Sequence, residues 1–292
     1  MKSRIAIFLG IALLAISMSP ILARMLPAVP AVSIAFWRMA SATMILWGTS
    51  SVKPFGTLSR DDRRLAVIAG VFLGFHFAFF FGALKLTTIA NATVLGTMAP
   101  VFSALIERFF YNRKFNRQMI LGLLVAILGA VVIHGGKFSL DDSHTVGSIL
   151  ALICSFWIAM SLLLAERVRQ NAGTFLYCRT LYGSSSVVLI IIVVLMKRQL
   201  FGFSSEDYLW LGMLGLFPTV VGHTGFNYAV KYISPTIVAA IPLGEPVVAS
   251  ILGWIIFGES VGFQVIAGGV ITLTGLFILI TSKRFTFVMP GD

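Results

Sequence analysis

The chain is poor in charge. Asp, Glu, Lys and Arg make up 11% of its 292 residues, and 58% are hydrophobic; a soluble domain is about a quarter charged. A chain this apolar cannot hide its side chains in one soluble core, because its outer surface would then be apolar too. A soluble enzyme, a secreted disulfide scaffold and a disordered binder are excluded. Cysteine is scarce: Cys154 and Cys178 lie inside apolar runs and read as small packing residues. The sequence has no HExxH, CxxC or paired-His spacing, so no metal is expected. It has no GxxxxGKS/T phosphate loop, so no nucleotide hydrolysis and no cofactor are expected. Acids are half as many as bases, 11 against 22. In a soluble chain that excess points to nucleic acid. Here the bases sit between apolar runs and read as topology signals, with no nucleic-acid partner.

Long apolar runs are what the sequence has most of. They fall at about 5–23, 31–49, 65–84, 88–106, 119–136, 146–165, 174–195, 208–229, 235–256 and 263–281. Each is close to the ~20 residues that cross a hydrocarbon core as a helix. The runs are continuous, not alternating, which favours helices over a barrel. The first run is too long for a signal peptide, and SPILARMLP is a poor cleavage site. One set of loops and termini holds 15 Lys and Arg; the other holds 5, namely Arg24, Lys85, Lys137, Lys197 and Arg198. That bias places both termini in the cytoplasm. Arg38 and Arg179 lie inside runs.

The halves resemble each other. Shifted by 146 residues, 80–129 lies on 226–275 without a gap, pairing Lys85 with Lys231, Pro100 with Pro246, Gln118 with Gln264, Gly122 with Gly268 and Gly129 with Gly275. Earlier, MSPILAR (18–24) resembles MSLLLAE (160–166), and Arg38 matches Arg179 in corresponding second helices. Five spans per repeat is an odd number, so the second copy enters the membrane from the opposite side. Inverted repeats are a recurring plan of secondary transporters, with the solute site near the midplane.

These features, with APVFSALIERFFYNRKFNRQMILGLLVAILGAVVI and its partner GEPVVASILGWIIFGESVGFQVIAGGVITLTGLFIL, resemble the EamA branch of the drug/metabolite transporter superfamily. The second segment follows the family pattern through EPV, GW, FGES, Q and spaced Gly. The first departs where YNRK replaces FGES. The resemblance covers nearly the whole chain and implies an exporter of small metabolites in the bacterial inner membrane. The length and the FHFAFFF segment with His76 are similar to the aromatic amino acid exporters of the YddG type.

Polar groups inside spans are expensive and invite a functional reading. Glu245 is the one acid well inside a run. Pro242 and Pro246 flank it and strip backbone hydrogen bonds from that turn. Freed carbonyls beside a carboxylate suit a substrate ammonium or a proton; packing against a neighbouring helix is the alternative. Arg38 and Arg179 suit a substrate carboxylate or a gate, with snorkelling to the interface as the alternative. His76 suits a hydrogen bond to solute or titration, and His223 lies one position from its repeat-mate; each reads equally as a core histidine. Asn227 offers an amide. Phe79, Phe80, Trp157, Phe226, Trp37 and Tyr177 are candidates for an apolar wall, or for packing. Trp157 and Phe79 are favoured by the family resemblance. Met98, just before Pro100, is a lesser candidate. Gly70 and Gly74 read as a close helix contact.

The expectation is an all-α integral membrane protein of ten transmembrane helices in two inverted five-helix repeats, 1–140 and 141–292. It exports small organic metabolites, neutral or aromatic amino acids first among them, by alternating access. Its cavity is expected between the first, third, fourth, sixth, eighth and ninth spans, with no catalytic residue. Solute and lipid bilayer are the partners, and the sequence leaves the oligomeric state open, a monomer included. A drug or nucleotide-sugar carrier stays open as an alternative. So does a lipid-modifying enzyme within the membrane, although no motif gives Glu245 an acid or His partner.

Overall fold

The computed structural model describes residues 2–52, 56–87, 89–134 and 145–282. The described residues form helices and contain no strand. Seven helices are continuous: α1 (Lys2–Arg24), α2 (Ala31–Val52), α3 (Arg60–Leu86), α6 (Arg117–His134), α7 (Thr145–Asn171), α8 (Thr174–Leu195) and α13 (Phe263–Ile280). Among the described residues, eight helical stretches are long and apolar enough to cross a membrane, and α6 is shorter.

The remaining runs are broken, and proline breaks them. The run at 88–106, expected as one helix, is two: α4 (Ile89–Gly96) and α5 (Ala99–Phe109). Pro100, the second residue of α5, has no N–H to offer the carbonyl of Gly96, where α4 ends. The next broken run is α9 (Ser205–Leu214), a π-helical segment (Gly215–His223) and α10 (Thr224–Ala229). Pro218 has no N–H to offer the carbonyl of Leu214; the Thr219 hydroxyl donates to that carbonyl instead, at 3.1 Å. The last is α11 (Pro235–Ala240), a 3₁₀ turn (Ile241–Gly244) and α12 (Glu245–Phe257). Pro246 is the second residue of α12, the place that Pro100 holds in α5.

Packing joins one half of the chain to the other. α3 lies on α7 and α8, α1 on the π segment and α12, α2 on α8, α5 on α11, and α6 on α13. Lipid tails are as apolar as leucine, so helices in a bilayer associate through close van der Waals contact at small residues. Gly74 of α3 meets α8 in this way: a Cβ there would lie 2.8 Å from the Cβ of Val188. Large apolar side chains such as Leu124, Val194 and Val270 point outward, as a lipid-facing surface requires.

Candidate functional site

A cavity of about 940 Å³ runs from the middle of the bundle to one end. All six spans expected around it contribute. So do α2 through Ile34, Ala35 and Arg38, α6 through Ile133 and α8 through Leu181. Most of the wall is apolar, and the few polar groups on it come from different helices.

Arg38 is the cation of this wall. Its side chain does not snorkel: it is buried, with Nε donating to Thr219 Oγ1 at 3.0 Å and Nη1 to Ser19 Oγ at 3.1 Å. The Thr219 hydroxyl is aimed by its own bond to Leu214, so the π turn around Pro218 builds the socket of Arg38. The guanidinium carbon stands 5.0 Å from the ring centre of Phe77, a cation–π contact. Nη2 is left without a protein partner among the described residues.

Glu245 opens α12, where the helix dipole favours a carboxylate. It lines the cavity and makes no hydrogen bond or ion pair among the described residues. Arg38 is the countercharge that acts on it. His76 bonds the carbonyl of Cys154 through Nδ1 at 3.0 Å. A carbonyl only accepts, so Nδ1 carries the proton and Nε2 is an acceptor. His223 sits in the π segment with Phe77 and Phe226 edge-on to its ring, each at 6.1 Å. Asn227 donates through Nδ2 to the carbonyl of His223 at 2.9 Å.

The cavity thus gathers His76, Phe80, Phe226, Asn227, Glu245 and Arg38. Phe79, Met98, Trp157 and Arg179 are not part of its lining. Trp157 packs against Phe72, Phe75 and Phe156 with ring centres 5.1–5.4 Å away. Phe79 packs edge-on against Phe75. Met98 sits at the break before α5. Arg179 stacks 4.3 Å from the ring centre of Trp47 and donates to Ser50 at 3.1 Å, tying α8 to α2. Trp37 donates to the carbonyl of Leu200, and Tyr177 is fully buried; neither lines the cavity.

Phe77 and Ser19 were not among the expected residues. On α3 the lining positions are Leu73, His76, Phe77, Phe80, Phe81 and Leu84, which is one helical face. Phe72, Phe75 and Phe79 lie off it. Spacing from His76 does not separate Phe79 (three residues on) from Phe80 (four residues on), and only the packing of α3 does.

Beyond the cavity floor lies a second polar cluster. Glu107 is fully buried and accepts from Arg113, from the Thr236 hydroxyl, and from the Thr236 N–H at 3.1 Å. Arg113 also donates to Glu166 at 2.9 Å. A left-handed turn at Asn112 (φ 51°) folds Arg113 back onto α5. Burial opposes the charge of Arg113, but the hydrogen bond and attraction of Glu166, and then those of Glu107, raise its pKa overall. Arg169, one of the fifteen cations counted on the richer side, is buried at the end of α7 and donates to the carbonyls of Asn227 and Ala172.

The model of the EamA-like transporter family matches residues 3–135 and again 145–281. The uncharacterized transporter YdfC of Bacillus subtilis (strain 168) is 26% identical over 208 residues, 70% of this chain and 67% of the relative. The pseudopaline exporter CntI of Pseudomonas aeruginosa PAO1 is 24% identical over 257 residues, 87% and 88% of the two chains. A solved crystal structure shares the fold with a TM-score of 0.82 at 16% identity, covering 96% of this chain and 98% of its own.

Proposed function

The chain belongs to the EamA-like transporter family, as a multi-pass membrane transporter of small molecules and not an enzyme, and we propose that it exports neutral and aromatic amino acids. The observation that carries this reading is one cavity lined by a cation and an acid, neither of which forms an ion pair among the described residues. Arg38 offers Nη2 to a carboxylate; Glu245 offers its oxygens to an ammonium. A zwitterion satisfies both. Phe77, Phe80 and Phe226 form an apolar wall for its side chain, with His76 Nε2 as an acceptor. Loose apolar packing discriminates weakly, about 1–3 kcal/mol per methylene, so several amino acids are accepted. The volume falls within the range of about 300–1,000 Å³ usual for small-molecule sites. One relative is named an exporter, which supports the outward direction.

The reading includes two inverted repeats, 1–140 and 141–292, working by alternating access in the inner membrane with both termini cytoplasmic. The cross-half packing of α1 with the π segment and of α7 with α3 is the exchange that a two-fold relation demands. Uptake of a panel of labelled solutes into liposomes holding the pure protein tests the substrate. Counterflow of Phe and other neutral amino acids is expected. Transport of cationic dyes or nucleotide sugars with no amino acid moved would overturn the amino acid reading and leave the transporter standing.

A further inference from the structure

Two ion pairs stand at opposite ends of the transport path, and the internal repeat relates them. Arg24 and Glu166 close the matching strings MSPILAR and MSLLLAE. Glu259 lies 146 residues after Arg113, the shift that aligns the later helices. Arg24 pairs with Glu259, and Arg113 pairs with Glu166 at 2.9 Å. Each pair is therefore the repeat-mate of the other with its charges exchanged. We propose that these pairs are the two gates of the transport cycle. This rests on the reading of the cavity as an alternating-access path.

Their surroundings differ, and the difference sets the state. Arg24 and Glu259 rim the open end of the cavity, with side chains 57% and 50% exposed. An exposed pair holds weakly. The guanidinium of Arg24 also lies 4.7 Å from the ring centre of Phe257, which keeps it over the mouth. Arg113 and Glu166 are 25% and 8% exposed, below the floor, and the pair is braced by Glu107 and through it by Thr236. The repeat-mate of Glu107 is Gly253, so the rim pair has no second carboxylate. Removing one partner of a buried pair leaves an uncompensated charge. The floor is thus the locked gate and the rim the light one. In the other state of the cycle the floor pair parts, and Arg24–Glu259 becomes the enclosed closure.

The test reads access and needs no solute. A cysteine replaces Ala239, which lines the cavity on α11 above Thr236. An impermeant maleimide is applied to right-side-out and to inverted membrane vesicles. Cys154 and Cys178 are buried, and the parent protein sets the background. Glu166→Gln keeps the shape and removes the charge. It is expected to raise labelling from the floor side at least about tenfold, the shift of a two-state equilibrium that loses a buried pair. Glu166→Asp, which keeps the charge, is expected to leave labelling nearer the parent rate than Glu166→Gln does. Glu259→Gln is expected to raise labelling from the rim side by no more than about fivefold, as for an exposed pair. If Glu166→Gln does not fold, Thr236→Val, which removes one brace and keeps both charges, is read for the same rise from the floor side. Unchanged floor-side labelling in Glu166→Gln, or equal labelling in Glu166→Asp and Glu166→Gln, overturns the gates. A protein that moves no amino acid but passes this test overturns the substrate reading alone.

Discussion

Gly129 of α6 and Gly268 of α13 face each other so closely that a Cβ added to either would lie 2.7 Å from the carbonyl oxygen of the other. Gly122 and Gly275 meet in the same way one level along: a Cβ on Gly275 would lie 2.7 Å from the carbonyl oxygen of Gly122. The repeat shift turns Gly122 into Gly268 and Gly129 into Gly275. It therefore maps one contact onto the other, as a two-fold axis between the two helices would.

Gly129→Val must push two backbones apart, because its Cβ would lie 2.7 Å from the Gly268 carbonyl oxygen and closer still to the Thr272 nitrogen. Overpacking of this kind costs about 1–3 kcal/mol. The thermal midpoint in detergent, read by tryptophan fluorescence, should fall. Gly10→Ala, with open space around its Cβ position in the interior of α1, should leave it unchanged or raise it slightly.

Glu245→Gln should fold, because the carboxylate makes no hydrogen bond or ion pair among the described residues. Transport of a neutral amino acid should weaken, chiefly through KM. A hydrogen bond to a charged group is worth about 1.5–3 kcal/mol, or roughly 10- to 100-fold in affinity. Kinetics in proteoliposomes check this. An unchanged KM would reduce Glu245 to a packing residue.

The spans were legible because the apolar runs are continuous, but the breaks near Pro100 and Pro218 were not, because a proline also sits inside the unbroken α1, as Pro20. Arg38 and Glu245 stood out as charges that a bilayer tolerates only with a reason. Arg179 has the same signature, and nothing in the sequence says that it stacks on Trp47 while Arg38 faces the cavity. The aromatic face of α3 was equally opaque. Phe72, Phe75, Phe77, Phe79, Phe80 and Phe81 are apolar on every side, and in lipid the outward face is as greasy as the inward one. Periodicity then loses the polar contrast that would orient the helix. The Glu107 cluster was hidden for another reason. Its residues look like ordinary loop charges, and only the docking of α11 on α5 buries them.

His76 and Trp157 should separate by effect. His76 faces the cavity, so His76→Ala should change KM or the range of amino acids carried. Trp157 lies among Phe72, Phe75 and Phe156 outside the lining. Trp157→Ala should lower stability, since each aromatic pair contributes about 0.5–1.5 kcal/mol beyond its buried area, and should leave KM near the parent value. Melting curves and transport kinetics of the two variants, side by side, check the contrast. A large KM change in Trp157→Ala with unchanged melting would reverse the assignment.

Orientation is open to a direct test. The loops with fifteen Lys and Arg include those carrying Arg113, Lys114 and Arg117, and the opposite set, with five, includes Arg24. The positive-inside rule assigns the richer set to the cytoplasm. The braced cluster of Glu107, Arg113 and Glu166 is then cytoplasmic, and the cavity rimmed by Arg24 and Glu259 opens to the other side. On the export reading, this state has released its solute outward and keeps its cytoplasmic door shut. A green fluorescent protein fused after Asp292 should fluoresce, and alkaline phosphatase at the same point should be inactive. Active phosphatase there would invert the molecule. The braced gate would then face outward, and the open cavity would face the cytoplasm as the loading state of the same cycle.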